Sequence, residues 1–125
     1  MAAANSQNPG RPAEVYCLNR FCILQPDVMT YQNFLDSQTQ HETPAGLSPL
    51  LEALWYAGRD EWHKAHAIAE QHEDAPLFDW LHAFLHRQQG DADNAAYWYR
   101  RAARPEFDGS LRHEWQEMVK TQLPD

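Results

Sequence analysis

The chain is poor in cysteine and glycine, and each shortage removes support for a class of protein. Its two cysteines, Cys17 and Cys22, have C-x4-C spacing. This spacing does not form a metal pair unless other ligands join it. In the cytoplasm, where we expect the chain to stay, the two cysteines are reduced thiols; the alternative is a disulfide or half of a zinc site. Five glycines stand singly, without a phosphate-binding glycine loop or a glycine-flanked serine. The sequence therefore gives no support for nucleotide binding or for nucleophilic catalysis.

Long positive runs and long apolar runs are also missing. The formal charge is −8, shared as −4 in residues 1–62 and −4 in residues 63–125. A chain without a basic face lacks the electrostatic basis for binding nucleic acid. No segment approaches the roughly 18 apolar residues of a membrane-spanning helix, and residues 1–14 lack the features of a secretory signal. We expect a cytoplasmic protein whose partners are neither nucleic acid nor membrane.

What the chain does have is enough apolar material for one core. Hydrophobic residues make up 43 % of it, with five each of Trp, Tyr and Phe. Composition divides the chain into three parts. Residues 1–14 are small, polar and predicted to be a disordered tail; residues 15–46 are predicted to form an apolar arm, a short helix and a linker. Residues 47–123 are predicted to form the main domain.

Apolar residues recur at helical spacing, so the sequence predicts an all-α protein. A first helix is predicted from Asp27, and five more follow after the linker. Their predicted limits are Ser48 to Gly58, a start near Asp60, Asp74 to just before Gly90, Ala92 to Arg104, and a start at Ser110. We expect Asp27, Ser48, Asp74 and Ser110 to be N-caps, and Pro105 to stop the fifth helix.

The third and fifth predicted helices look like one element used twice. Ala65 and Ala95 lie thirty residues apart, each after an acidic turn. Alanine at such positions lets two helices approach closely, while Trp62 and Tyr99 fill the space beside the contact. The repeat predicts helical hairpins that bury these alanines.

The chain resembles the tetratricopeptide repeat family at this point. The matching residues are Gly90 and Asp91 in the inter-helix turn, Ala95, Tyr99 and Ala102 in the second helix, and Pro105 at the close. The likeness covers residues 77–105 and, more weakly, residues 48–72. It implies antiparallel hairpins stacked as a short bundle, capped by the C-terminal helix, and a protein-binding function. Residues 98–102, WYRRA, are also similar to a helix of short bacterial proteins, which implies no function.

Histidines provide the candidate metal ligands. His82 and His86 are four residues apart, and His63 and His66 are three apart, so each pair shares a helical face. If their helices pack side by side, the two pairs can converge on one ion. The alternative is that these imidazoles are solvated or partly packed and bind no metal.

A second candidate site lies on the fifth helix. Tyr97, Arg101 and Arg104 can form a patch that receives a carboxylate or an acidic partner, with Trp80 and Phe84 as apolar anchors. The alternative is a solvated arginine face above ordinary core aromatics.

Three functions follow from these observations. The first is a helical-repeat module that binds another protein, without catalysis or cofactor. The second is a metal-binding protein or enzyme that uses His82 and His86 with His63 or His66. The third is a domain that associates with itself, such as a homodimer.

Overall fold

A computed structural model describes residues 29–124 of the chain. Helices are the regular structure of this part, which contains no strand, so the predicted all-α class is confirmed. The helices are α1 (Tyr31–Ser37), α2 (Pro49–Gly58), α3 (Trp62–Glu70), α4 (Pro76–Gln88), α5 (Ala92–Arg101) and α6 (Leu111–Gln122). Between residues 29 and 124, no helix has the length and apolar character needed to cross a membrane. The predictions for Cys17, Cys22 and residues 1–14 lie outside the described residues.

Local capping explains where several helices begin. The Ser48 hydroxyl accepts the amide hydrogen of Leu51, and Pro49 is the first residue of α2. Ser110 caps α6 in the same way by accepting from the amide of His113. Both predicted caps are confirmed, as is the end of α2 at Gly58.

Two other predicted helix starts differ from the structure. The cap of α1 is Thr30, whose side chain accepts from the amide of Asn33, whereas Asp27 lies outside the described residues. Asp74 does not cap α4, because the N-cap position belongs to Ala75. Asp74 instead has a left-handed backbone, with φ of 79°, and its carboxylate pairs with Arg101.

Helix α5 ends earlier than predicted. It stops at Arg101 rather than Arg104, because the chain turns through a left-handed conformation at Ala103, where φ is 57°. Pro105 therefore follows the helix end at a distance and does not determine it. This turn leaves Ala103 exposed.

Small and large side chains alternate in the core. Ala65 and Ala95 are both buried, as the repeat pattern predicted, and Tyr99 is buried close to Ala95 on α5. The most extensive helix contacts join α4 with α5 and α2 with α3. This packing places one face of α4 against α3 and α5, and the candidate site lies there.

Helices α1 and α6 complete the core with aromatic contacts. The rings of Phe34 and Trp115 lie 6.0 Å apart between centroids. Trp115 also donates its Nε1 hydrogen to the carbonyl of Leu54 at 2.7 Å, and Trp55 donates to the Ser37 hydroxyl at 3.0 Å. These bonds satisfy the buried indole N–H donors, so both large rings are packed in the core without an unpaired donor.

Candidate metal centre

Three of the four paired histidines meet at the contact between α3 and α4. His66 comes from α3, and His82 and His86 come from α4. One ring nitrogen from each of the three lies within 4.8 Å of the others. The closest pair is Nε2 of His66 and Nε2 of His82, which are 3.0 Å apart. The sequence spacing predicted that the two histidines of each pair share a face of their helix. The packing of α3 against α4 then brings His66 to the pair on α4.

Helix geometry and one indole hydrogen bond explain this convergence. His82 and His86 are one turn apart, and their rings are parallel, within 5° and 5.6 Å between centroids. Trp62, at the start of α3, donates its Nε1 hydrogen to the carbonyl of Leu85 on α4 at 2.6 Å. This bond fixes the register of α3 against α4, and that register places His66 beside His82.

Two tryptophans form walls of the site. The Trp98 ring stacks on His82 at 3.8 Å between centroids, with an angle of 7° between the planes. Trp62 stacks on His66 at 4.5 Å and 12°. Flat aromatic contacts restrict the rotation of both imidazoles, so their nitrogens point in fixed directions.

Burial favours the neutral form of His66 and His82. His82 is 2 % exposed and His86 is 8 % exposed, so of the alternative, solvated or partly packed rings, the solvated form is wrong for these two residues. Burial lowers the pKa of His82 to about 4, with smaller contributions from His66, His86 and Arg101. Burial also lowers the pKa of His66. Neutral imidazole is the form that binds metals, and these lowered pKa values favour it for His66 and His82 at neutral pH.

In the part of the chain that the structure describes, two of the three histidines have a ring nitrogen without a hydrogen-bond partner. The Nδ1 atoms of both His82 and His86 are buried and have no hydrogen-bond partner within residues 29–124. In the contact between His66 and His82, one Nε2 must donate and the other must accept. Whichever tautomer His82 adopts, one of its two nitrogens therefore remains unsatisfied, at a cost of about 1–3 kcal/mol.

The spacing of the nitrogens is close to that of a metal site. Two imidazole nitrogens on a tetrahedral ion, each at about 2.0–2.1 Å, lie about 3.3 Å apart. The contact of 3.0 Å between His66 and His82 is near this value, and His86 needs a shift of its ring because the set spans up to 4.8 Å. Glu70 lies on the other side of His66, with Oε1 3.7 Å from Nδ1. A carboxylate behind a metal-binding histidine is a common orienting arrangement.

His63 and Asp79 do not join the three histidines. His63 was a predicted ligand, but its side chain is exposed on α3, and its ring contacts the edge of Trp62 at 5.2 Å. Asp79 shares a helix with His82, but its Oδ1 accepts the amide hydrogen of Asp74. Of the two options for completing the His82 and His86 pair, the structure brings His66 and not His63 to it.

The predicted partner contact Tyr97 on α5 is exposed, whereas the predicted apolar anchors on α4 are buried. Tyr97 is 44 % exposed, and Arg101 contacts its ring and that of Trp98. Trp80 and Phe84 are 3 % and 2 % exposed, so these rings belong to the core and offer no surface to a partner. The Arg104 guanidinium covers the Trp80 ring, 3.5 Å from its centroid.

A buried carboxylate was missed from the sequence. Glu114 on α6 is fully buried; it accepts hydrogen bonds from Trp80 and Tyr99 and pairs with Arg87. Burial and the Glu114 bond raise the pKa of Tyr99. Helix α6 carries Glu114 next to Trp115 on its apolar face, and this position was the available signal. Because Trp80, Tyr99 and Arg87 all bind this carboxylate, it connects α4, α5 and α6. It is therefore a structural group and not a candidate catalytic or ligand-binding group.

Comparisons with known proteins identify no relative: no family model, curated protein or solved structure matches the chain.

Proposed function

We propose that this protein binds a transition-metal ion through His66, His82 and His86. One observation carries the proposal: three imidazoles from two helices converge, and one ring nitrogen of each lies within 4.8 Å of the others. An ion placed among the three convergent nitrogens can accept a lone pair from each of them.

The donor set favours a particular class of ion. Imidazole nitrogen suits zinc, copper, nickel and cobalt, whereas calcium and magnesium require oxygen ligands. No carboxylate belongs to the set of three within the described residues. We therefore expect binding of zinc and cobalt, and none of magnesium.

The test is a titration of chelator-treated protein with zinc, followed by calorimetry and by metal analysis after gel filtration. We expect one ion per chain, and no heat with magnesium. Trp62 and Trp98 lie against the ligands, so copper or cobalt should also quench tryptophan fluorescence. Circular dichroism establishes that each variant is folded.

Matched histidine variants locate the ion. His82→Gln with His86→Gln should abolish binding, whereas His63→Ala and His113→Ala, both at exposed positions, should leave it unchanged. Zinc binding that survives in the folded double variant would refute the proposal, as would substoichiometric metal in the unmodified chain.

A second candidate function is protein binding by helix α5, and Tyr97 is the observation that favours it. This ring is the large hydrophobic side chain that residues 29–124 leave exposed; Arg101 lies on the same helix, and the exposed Arg104 follows the end of that helix. A photo-crosslinker at position 97 should capture a specific partner from cell extract, and a crosslinker at exposed Glu117 on α6 is the control. Products common to both positions would count against a partner site, and products of twice the chain mass would indicate self-association.

The repeat architecture is a related proposal. We infer that α2 with α3 and α4 with α5 are two hairpins of tetratricopeptide type. Support comes from the buried alanines Ala65 and Ala95 at equivalent positions and from the extensive contacts within each pair. A crystal structure in which residues 49–70 do not superpose on residues 76–101 would contradict it.

A further inference from the structure

We infer that the metal centre formed by His66, His82 and His86 keeps one coordination position open to a small exogenous donor such as water, azide or imidazole. This inference rests on the proposed metal binding. It follows from which residues can and cannot supply a fourth ligand. Zinc and cobalt commonly take four ligands, and centres with three protein ligands complete the set with water or substrate.

Glu70 is the nearest carboxylate, and it lies on the wrong side of His66. Nε2 of His66 faces His82, whereas Oε1 of Glu70 approaches Nδ1, the other ring nitrogen, at 3.7 Å. The lone pairs of these two nitrogens diverge across the ring. An ion bound at Nε2 is therefore out of reach of Glu70, whose carboxylate can act on His66 only through Nδ1; we expect it to orient the ring and not to be a ligand.

His63 also fails as a fourth ligand. It is exposed on α3, and it does not belong to the set of nitrogens within 4.8 Å. The Trp62 indole stacks on His66 and presents its edge to His63, and its Nε1 bond to the Leu85 carbonyl holds it there. Moving His63 to the ion would require displacing this indole.

His66 is the most exposed of the three ligands. Its side chain is 20 % exposed, in contrast to the buried rings of α4. We therefore expect a small donor to enter past His66. The open position is thus suited to a monodentate ligand, and water bound there would have a lowered pKa.

Cobalt spectroscopy tests this directly on the full chain. Chelator-treated protein is loaded with one equivalent of cobalt, and its visible ligand-field bands are followed during titrations with azide and with imidazole. We expect a saturable change of the bands with one added ligand per ion. His63→Ala should give the same starting spectrum and the same response.

Glu70→Gln separates an orienting residue from a ligand, with Glu73→Gln as the matched control at another exposed glutamate. We expect Glu70→Gln to weaken cobalt binding about tenfold while the spectrum of the loaded protein is unchanged. A changed spectrum in Glu70→Gln or His63→Ala would overturn the inference, because that side chain would then be the fourth ligand.

Two further outcomes also decide the matter. Cobalt bands that do not respond to azide or imidazole would show a closed centre and overturn the inference, while leaving metal binding intact. Dimers that appear in sedimentation only when cobalt is added would also overturn it, because a second chain would then fill the position. An absence of cobalt bands altogether would refute the proposed metal binding itself.

Discussion

Trp80 on α4 donates its indole hydrogen to Oε2 of Glu114 on α6, 2.9 Å away and 34 residues later in the chain. Both side chains are buried, and Glu114 also accepts from Tyr99 and pairs with Arg87. One carboxylate therefore determines how α6 docks on α4 and α5. Its removal would leave three donors without an acceptor.

We expect Glu114→Gln to lower the free energy of unfolding by about 3 kcal/mol. The amide keeps the shape but removes the charge that balances Arg87, and breaking a buried pair is expensive. Urea denaturation provides the measurement. Glu117→Gln is the control on the same helix: its exposed contact with His113 should contribute less than about 1 kcal/mol. Equal losses in the two variants would contradict the structural role of Glu114.

The buried alanine of α3 gives a second expectation. Ala65→Leu should destabilise the fold by about 1–3 kcal/mol, because Ala65 has no exposed surface and added methyl groups must push α3 away from its neighbours. Ala67→Leu introduces the same side chain at an exposed position two residues later. Thermal unfolding should show a lower midpoint for Ala65→Leu alone. A variant at position 65 as stable as one at position 67 would contradict close packing there.

Acid should weaken the metal-free protein through His82. The folded chain holds the pKa of His82 at about 4, below its ordinary 6.5, so the unfolded chain binds more protons between these values. The free energy of unfolding therefore rises with pH between about 4 and 6.5, and the contribution of His82 is fully present above this range. As the pH drops from 7 to 4, the free energy of unfolding falls by at most about 3 kcal/mol through His82. Urea denaturation at several pH values measures the slope. His82→Gln should flatten it, and an unchanged slope would assign the acid sensitivity to other groups.

Metal binding should raise the thermal midpoint. Free zinc at about 100 times its dissociation constant stabilises a folded protein by about 2.7 kcal/mol, which corresponds to a rise of about 10 °C in a domain of this size. Scanning calorimetry with and without zinc measures the shift. His82→Gln with His86→Gln should show none, whereas His63→Ala should retain it. Equal shifts in all three proteins would indicate binding elsewhere.

The features that follow from nearest neighbours in sequence were predictable. Ser48 and Ser110 are caps in the structure because an N-cap bond joins residues three apart. Asp74 has a similar local pattern, but its carboxylate pairs with Arg101, 27 residues away, and Ala75 becomes the cap. Local rules fail where a long-range partner competes for the same side chain.

The candidate site likewise has a part that local sequence spacing predicts and a part that depends on how the helices pack. The spacing of His82 and His86 places them on one face of α4, and this pairing was read directly. Their convergence with His66, and the exclusion of His63, depend on the rotation of α3 that the Trp62–Leu85 bond fixes. Periodicity gives the face of a helix but not the neighbour it meets, so the four histidines could not be separated into three and one.

The sequence by itself determined the all-α class, most helix starts and the burial of Ala65 and Ala95, because helical periodicity and capping act over a few residues. Only the tertiary structure decided that His82 and Glu114 are buried. The reason is physical: a polar side chain can be buried only where other helices supply its partners, and no single helix contains that information.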